Sequence, residues 1–236
     1  MEPTALATKA VTWLLNRFGK AVIERWSRRR AEAFFKQFVA QVTEIDSKGG
    51  SFDSIEHVLT ELIEDDNKSE VLFESYRRVC LSASVSLGPR IIALLTARLV
   101  AESRNATDEE ERIFMAAESL SDSELMNMYT YFSENNFDNG EIEIHRKNRD
   151  SNWSSPISTG PVNLGEFVGN WCLKLHNCGL VVQDLVLETQ NYEIDSERYV
   201  DEPGTLAIYI WKLRFEAKVF ELASLIGNLC NSGEST

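Results

Sequence analysis

The segment that most constrains the fold is the apolar run LGPRIIALLTARLV, at residues 87–100. Only seven uncharged residues separate Arg90 from Arg98, whereas a membrane span needs about 20 apolar residues. The run has one glycine and no lysine, so it does not match a phosphate-binding loop. Gly88 at the cap and Pro89 at the first helical position are typical of a helix start. The run therefore predicts a buried helix whose apolar face carries Ile91, Ile92, Leu94, Leu95 and Leu99.

Short helices of the same kind are predicted through residues 1–134. Apolar spacing indicates helices at about 51–64 and 69–84. Two capping boxes follow, in which a hydroxyl and a carboxylate three residues later satisfy amides of the first turn. They pair Thr107 with Glu110 and Ser121 with Glu124, and they predict helices at about 108–118 and 122–134. We expect about six helices and no strand in this part.

Residues 135–162 have a different composition, rich in Asn, Ser, Gly and Pro. Such a composition is typical of a linker or irregular segment. One short alternation within it, EIEIH, is compatible with a strand. We therefore place a boundary between two domains here.

The C-terminal part, 163–236, predicts a small α+β domain. A helix is expected from Asn163 to Gly179, because a clean apolar stripe lies between a cap and a terminating glycine. LVVQDLVLE (180–188) and TLAIYIWKL (205–213) are rich in strand-forming residues, and an amphipathic helix ends the chain. This order is typical of the second half of a winged-helix domain. The predicted fold class is mainly α, with a multi-helix region followed by a winged-helix-like domain.

Three sequence features carry a family resemblance. They are LGPRIIALLTARLV, the acidic-capped stretch DEEERIFMAAESLSDSELMNMYTYF, and LHNCGLV before the expected hairpin. Together they resemble uncharacterised bacterial helical proteins with a C-terminal winged-helix-like hairpin, some of which are tied to abortive infection of phage-infected cells. The resemblance implies that fold and a phage-defence setting. It implies no catalytic residues.

The charge of the chain is unevenly distributed. The net charge is −13, yet residues 1–40 carry +5 and the remainder carries −18. One helical face of the basic part carries the apolar residues Val11, Leu14, Leu15, Phe18, Val22 and Trp26. After the arginine triplet 28–30, the apolar face lies on nearly the opposite side and carries Phe34, Phe38, Val42 and Ile45. Either the helix breaks there, or one long helix changes packing partners; RRRAEAFF has no Gly or Pro, which favours the long helix.

We predict a non-enzymatic protein that binds another macromolecule, with a protein partner or a second copy of itself favoured. The basic helix offers one contact surface, with Arg17, Arg25, Arg28, Arg29 and Arg30. The loop between the two expected strands offers an acidic surface, with Glu193, Asp195, Glu197, Asp201 and Glu202. Their opposite charges suggest a head-to-tail or domain-swapped contact between copies.

Two alternatives use the same basic helix. The arginine triplet is suited to phosphates of a nucleic acid, and a basic amphipathic helix bearing Trp13 and Trp26 is suited to peripheral contact with a membrane. A third interpretation packs the apolar stripe on the body of the protein. The winged-helix-like domain itself carries five Lys and Arg against eleven Asp and Glu, which disfavours DNA binding through it.

Few residues suggest metal or catalytic chemistry. Cys172, His176 and Cys178 form a compact set of soft ligands, but a fourth ligand is missing nearby, and a buried cysteine explains Cys172 equally well. No Gly-x-Ser-x-Gly, His-Glu-x-x-His or Gly-rich phosphate loop is present. We therefore expect no cofactor, no metal and no enzymatic activity. The N-terminus lacks a basic signal-peptide region, so we expect a cytoplasmic protein with free thiols.

Overall fold

A computed structural model describes residues 28–46, 60, 64–135, 141–146, 164–191 and 205–231. The chain divides into two compact units. The first unit comprises the described residues up to Glu134 together with those from Lys218 onward, and the second runs from Asn135 to Ala217. The described residues are mainly helical and include a small antiparallel sheet.

Eight helices and three strands are described. In chain order they are α1 (Arg28–Asp46), α2 (Asp66–Leu81), α3 (Leu87–Ala101), α4 (Asp108–Ser119), α5 (Asp122–Glu134), β1 (Glu141–Arg146), α6 (Leu164–Phe167), α7 (Asn170–Asn177), β2 (Val181–Asn191), β3 (Thr205–Phe215) and α8 (Ala217–Asn231).

The predicted helices within 69–134 are confirmed. Both capping boxes form: Thr107 accepts from the amide of Glu110, and Ser121 accepts from the amide of Glu124, while each glutamate accepts from the amide of its partner. The predicted helix at 51–64 lies largely outside the described residues. The basic segment before Arg28, which carries the apolar stripe that ends at Trp26, also lies outside them.

Helix α3 is the centre of the first unit, since ten of its 15 residues are buried. Arg30 of α1 donates to the carbonyl of Ser84, just before α3, and Arg90 of α3 donates to Gln37 of α1. The two helices therefore run in the same direction. Helix α8 runs the opposite way, because Arg90 reaches the carbonyl of Leu229 near the end of α8, whereas Arg98 pairs with Glu221 near its start.

The start of α3 is held by Asp122, the first residue of α5. The Asp122 carboxylate accepts from the amides of Val85, Ser86 and Leu87 at 2.9, 3.2 and 2.7 Å, and from the Ser84 hydroxyl. The first amides of a helix have no partner within the helix, and a negative charge there is favoured by the helix dipole. Burial opposes ionisation of this carboxyl, but the hydrogen bonds outweigh burial and lower its pKa below the ordinary value of 3.8. Asp122 thus caps a helix far away in sequence.

Close packing at the same place requires Gly88. A Cβ at this position would lie 2.4 Å from the carbonyl oxygen of Ala117 and 2.8 Å from the Cβ of Ser84. The nearest atom belongs to the backbone, which has little freedom to move. The glycine predicted as a cap is therefore a contact point between α3 and the end of α4.

A second cluster of charges fixes the loop before α4. Arg104 donates to both carboxylate oxygens of Glu110, at 2.7 and 2.8 Å. This guanidinium, together with the Thr107 cap, lowers the pKa of Glu110 to about 2 against the opposing effect of burial. The side chain of Glu110 is only 8% exposed, and these charge-assisted hydrogen bonds offset the free-energy cost of burying its carboxylate.

The second unit is built on a three-stranded antiparallel sheet in the order β1-β3-β2. Val181 pairs with Phe215 at one end of the hairpin, and Asn191 pairs with Thr205 at the other. The expected strands at 180–188 and 205–213 are confirmed. The EIEIH alternation forms β1 and pairs with β3, so part of the segment expected to be a linker belongs to this sheet.

Two expectations for the C-terminal part need correction. The single helix expected from 163 to 179 is divided into α6 and α7, because Gly169 adopts a φ of +129°. The final helix, expected to complete the domain 163–236, falls in the first unit from Lys218 onward. Its pattern correctly predicted a buried face, but a pattern does not specify the surface against which that face packs.

We predict that Asp122→Ala lowers the free energy of unfolding at neutral pH by roughly 2 to 3 kcal/mol, because several amides lose their acceptor together. The pKa of this carboxyl is lowered in the folded protein, so its stabilisation is complete above the pKa of the unfolded chain and is lost as the pH falls through the folded value. The difference between the wild type and Asp122→Ala should therefore shrink in acid. Urea unfolding at pH 7 and pH 3 measures it, with exposed Asp108→Asn as the control; an equal difference at both pH values would contradict the assignment.

We further predict that Gly88→Ala costs about 1 to 3 kcal/mol of stability, because its Cβ would overlap backbone atoms. The matched variant is Gly227→Ala, also within a helix, where the Cβ would meet only the side chain of Tyr129 at 3.1 Å. This ring needs to move by only a few tenths of an ångström, so Gly227→Ala should cost less than Gly88→Ala. Thermal unfolding of both variants tests the prediction, and equal losses would refute it.

Candidate protein-binding groove

A groove lies between α1, α3 and α8 in the first unit. It encloses about 740 Å³. Its apolar lining consists of Ile45, Leu94, Ala101, Leu225 and Leu229. Its polar lining consists of Gln37, Gln41, Glu44, Arg98, Glu102 and Asn228. Ile45 remains 44% exposed and Leu94 is partly exposed, so apolar surface is accessible there.

Ion pairs fix α8, one wall of the groove. Arg98 of α3 pairs with Glu221 of α8 at 3.0 Å, and Lys218 pairs with the same carboxylate at 2.8 Å. Lys218 also lies 3.8 Å from Glu109 of α4. Pairing with Glu221 raises the pKa of Lys218. This chain of charges ties α8 to two other helices.

The other end of α8 is held by Arg90. Its guanidinium donates to the carbonyl of Leu229 at 3.2 Å and to the side-chain oxygen of Gln37 at 3.3 Å. A cation is favoured at a helix C-terminus, where carbonyls lack partners within the helix. Arg90 therefore joins α1 and α8 through α3, and both walls of the groove are anchored.

The net charge at the rim is negative. Glu44 is exposed, and within the described residues no ion pair involves it. Glu102 pairs with Arg104, whose guanidinium is shared with Glu110. Arg98 is the one cation of the lining and is paired with Glu221. The arrangement combines accessible apolar surface with acidic and amide groups, which suits a basic amphipathic segment of a protein.

The predicted basic surface is only partly described. Arg17 and Arg25 lie outside the described residues. Arg28 is exposed and pairs with Glu32 at 2.8 Å, and Arg29 is also exposed. Arg30 differs, since its Nε donates to the Ser84 carbonyl at 2.9 Å. Arg30 therefore has a role within the fold, and the triplet offers two exposed cations at the start of α1.

The predicted acidic surface cannot be located. Its residues Glu193, Asp195, Glu197, Asp201 and Glu202 all lie outside the described residues. Only the strands on either side of this loop, β2 and β3, are described. The predicted contact between this loop and the basic helix therefore stays a prediction.

The geometry does not support a metal site at Cys172, His176 and Cys178. Cys172 is fully buried, and burial raises its thiol pKa to about 12, which disfavours the thiolate that binds a metal. His176 is exposed and Cys178 is partly exposed. Across the described part of the chain, no group of three or more His, Cys, Asp or Glu is arranged to hold a metal ion. In the same part, no helix is both long and apolar enough to cross a membrane.

Sequence patterns did not reveal the groove. Its lining comes from three helices that lie far apart in the sequence and contribute, for example, Gln37, Leu94 and Asn228. No local motif marks residues that only tertiary packing brings together. The available signal was the apolar stripe of each helix, which indicates a buried face but not a gap between faces.

In comparisons with known proteins, no family model, no curated protein and no solved structure matches this chain.

Proposed function

We propose that the protein is a cytoplasmic, non-enzymatic interaction protein that binds a protein partner, or a second copy of itself, in the groove between α1, α3 and α8. The observation that carries the proposal is accessible apolar surface between anchored helices, at Ile45 and Leu94. Helix-in-groove recognition uses a surface of this kind. The resemblance noted in the sequence adds phage defence as the proposed setting.

The second unit supports a winged-helix-like fold as part of the proposal. The unit consists of a strand, two short helices and a hairpin. The last strand of the hairpin lies between the other two strands, so the strand order is β1-β3-β2, as in winged-helix domains. The solvent-exposed side of α7 carries Asn170, Leu173, His176 and Asn177. That surface holds no arginine, and Lys174, the one lysine of α7, is only partly exposed. This small number of cations favours protein contact over phosphate contact for this helix.

The groove proposal predicts that Ala101→Arg abolishes partner binding. Ala101 is exposed and lines the groove, so an arginine there fills the space without disturbing the core. Recovery of the specific partner in affinity capture with the full chain, quantified by mass spectrometry, should fall at least about tenfold, equivalent to 1.4 kcal/mol.

The control is Thr130→Arg, an exposed position on α5, which contributes nothing to the groove. It should recover the same partner as the wild type. Circular dichroism should show unchanged helix content in both variants. Undiminished capture by Ala101→Arg would refute the groove as the binding surface.

A second candidate function is nucleic-acid binding, favoured by the exposed positions of Arg28 and Arg29. Substituting both with glutamate should weaken binding and reduce its salt dependence, because phosphate contacts release counterions. Arg30 must be left unchanged, since its loss would remove the bond to Ser84 and disturb the fold. Fluorescence anisotropy with a labelled duplex at several salt concentrations measures this, and affinity that the double variant leaves unchanged would exclude the triplet as a nucleic-acid site.

A further inference from the structure

We propose that the groove between α1, α3 and α8 binds a basic amphipathic helix of another protein. The apolar face of that helix contacts Ile45, Leu94 and Ala101, and a lysine or arginine of the helix lies at the end of the groove that carries Glu44 and Glu102. This inference rests on the proposed function and names the chemical class of the partner.

The groove runs along its helices, as the binding of a partner helix requires. Its α1 residues extend from Gln37 to Ile45 at intervals of about one turn on one side of that helix. Its α3 residues extend from Leu94 to Glu102 at the same spacing. Each set spans eight positions, so the groove is about 12 Å long at 1.5 Å per residue. This length matches about two turns of a bound helix, whose apolar residues at i, i+3, i+4 and i+7 face one side.

Apolar atoms in the groove are accessible to such a helix. Ile45 and Ala101 are exposed, and Leu94 is partly exposed. Leu225 and Leu229 of α8 also line the groove but are buried in the unit itself. A partner helix would therefore gain free energy by covering the side chains that α1 and α3 leave in water.

The cations beside the groove are already matched by carboxylates. Arg98, the one cation of the lining, pairs with Glu221 at 3.0 Å. Lys218 lies 2.8 Å from the same carboxylate and 3.8 Å from Glu109. These two cations and two carboxylates balance one another. The lining therefore offers little attraction to an acidic partner.

An excess of negative charge remains at one end of the groove. Arg104 is shared between Glu102 and Glu110, so one of these two carboxylates is unbalanced. Glu44 is exposed, and no ion pair involves it in the part of the chain that the structure describes. The C-termini of α1 and α3 lie at this end and add partial negative charge, of which the start of α8 offsets only one share. This end therefore favours a lysine or arginine of the partner.

The charge of the whole chain favours a basic partner over a second copy. The net charge is −13. Two molecules with this charge repel each other, whereas a basic helix is attracted towards the groove. Because the attraction acts partly through solvent, added salt should weaken the complex.

Titration of the full chain with three labelled synthetic peptides of about 18 residues tests the proposal. The first peptide places leucines on one helical face and lysines on the other. The second carries glutamate in place of each lysine, and the third has the composition of the first in an order that forms no apolar face. Fluorescence anisotropy should show that the first peptide binds at least about tenfold more tightly than either of the others.

Two charge variants locate the contact. Glu44→Lys should weaken binding of the basic peptide about threefold to tenfold, because it replaces an attraction with a repulsion. Glu118→Lys changes the net charge of the chain by the same amount. The Glu118 carbonyl accepts from the amide of Ala83, which precedes α3, so this residue lies at the opposite end of α3 from Glu102. Glu118→Lys should leave the affinity for the basic peptide unchanged.

Two further variants test whether the peptide enters the groove. Ala101→Arg should abolish binding of the basic peptide, because the new side chain fills the space that the apolar face would occupy. Thr130→Arg adds the same charge on α5, outside the groove, and should bind the peptide like the wild type.

Four results would overturn the proposal. These are an acidic peptide that binds as tightly as the basic one, a scrambled peptide that binds as tightly as the amphipathic one, equal weakening by Glu44→Lys and Glu118→Lys, and a dimer in sedimentation equilibrium that Ala101→Arg dissociates. The last result would assign the groove to a second copy.

The affinity capture separates failure of this inference from failure of the proposed function. If the basic peptide does not bind but Ala101→Arg still loses the captured partner, the groove is a binding surface and only the class of its partner is wrong. If neither the peptide nor the captured partner depends on Ala101, the groove is refuted as a binding surface.

Discussion

The first unit depends on the bond between the Asp122 carboxylate and the start of α3. The first amides of this central helix have no partner within the helix, and those of Leu87 and Gly88 are partly or fully buried, where an unsatisfied donor is costly. Asp122 supplies the acceptor and the negative charge at once, and Ser84 extends the network to the amide of Gly88 at 2.7 Å. These hydrogen bonds hold the loop between α2 and α3 against the loop between α4 and α5. The position of α3 then determines where α1 and α8 pack.

Much of the fold was predictable because its signals are local. Thr107 and Ser121 begin helices through contacts within three residues, and the stripe at 91–99 correctly indicated a buried helix. The break at Gly169 was missed because a glycine inside an apolar stripe is compatible with a helix until its φ is known. The place of α8 was missed because amphipathicity leaves the packing partner open.

The candidate site was harder to predict for a related reason. In the sequence, Arg30 is the last of three consecutive arginines, and this triplet predicted an exposed basic cluster. The bond to Ser84 joins positions 54 apart, so only the fold separates Arg30 from Arg28 and Arg29. The groove is non-local to a greater degree, since Arg90 of α3 donates both to Gln37 of α1 and to Leu229 of α8. Local patterns predict elements, whereas sites of this type depend on how the elements are assembled.

The anchoring of the groove bears on how tightly it can bind. Arg90 holds α1 and α8 at one end, and the charges linking Arg98, Glu221 and Lys218 hold α8 at the other. Walls that are already fixed lose little conformational freedom when a ligand enters, so more of the apolar burial contributes to affinity. The ion pairs that border the groove are partly exposed and individually weak. The buried apolar face of α8 supplies most of its stability, and the ion pairs add orientation. A partner that fits Ile45 and Leu94 gains from that order without having to create it.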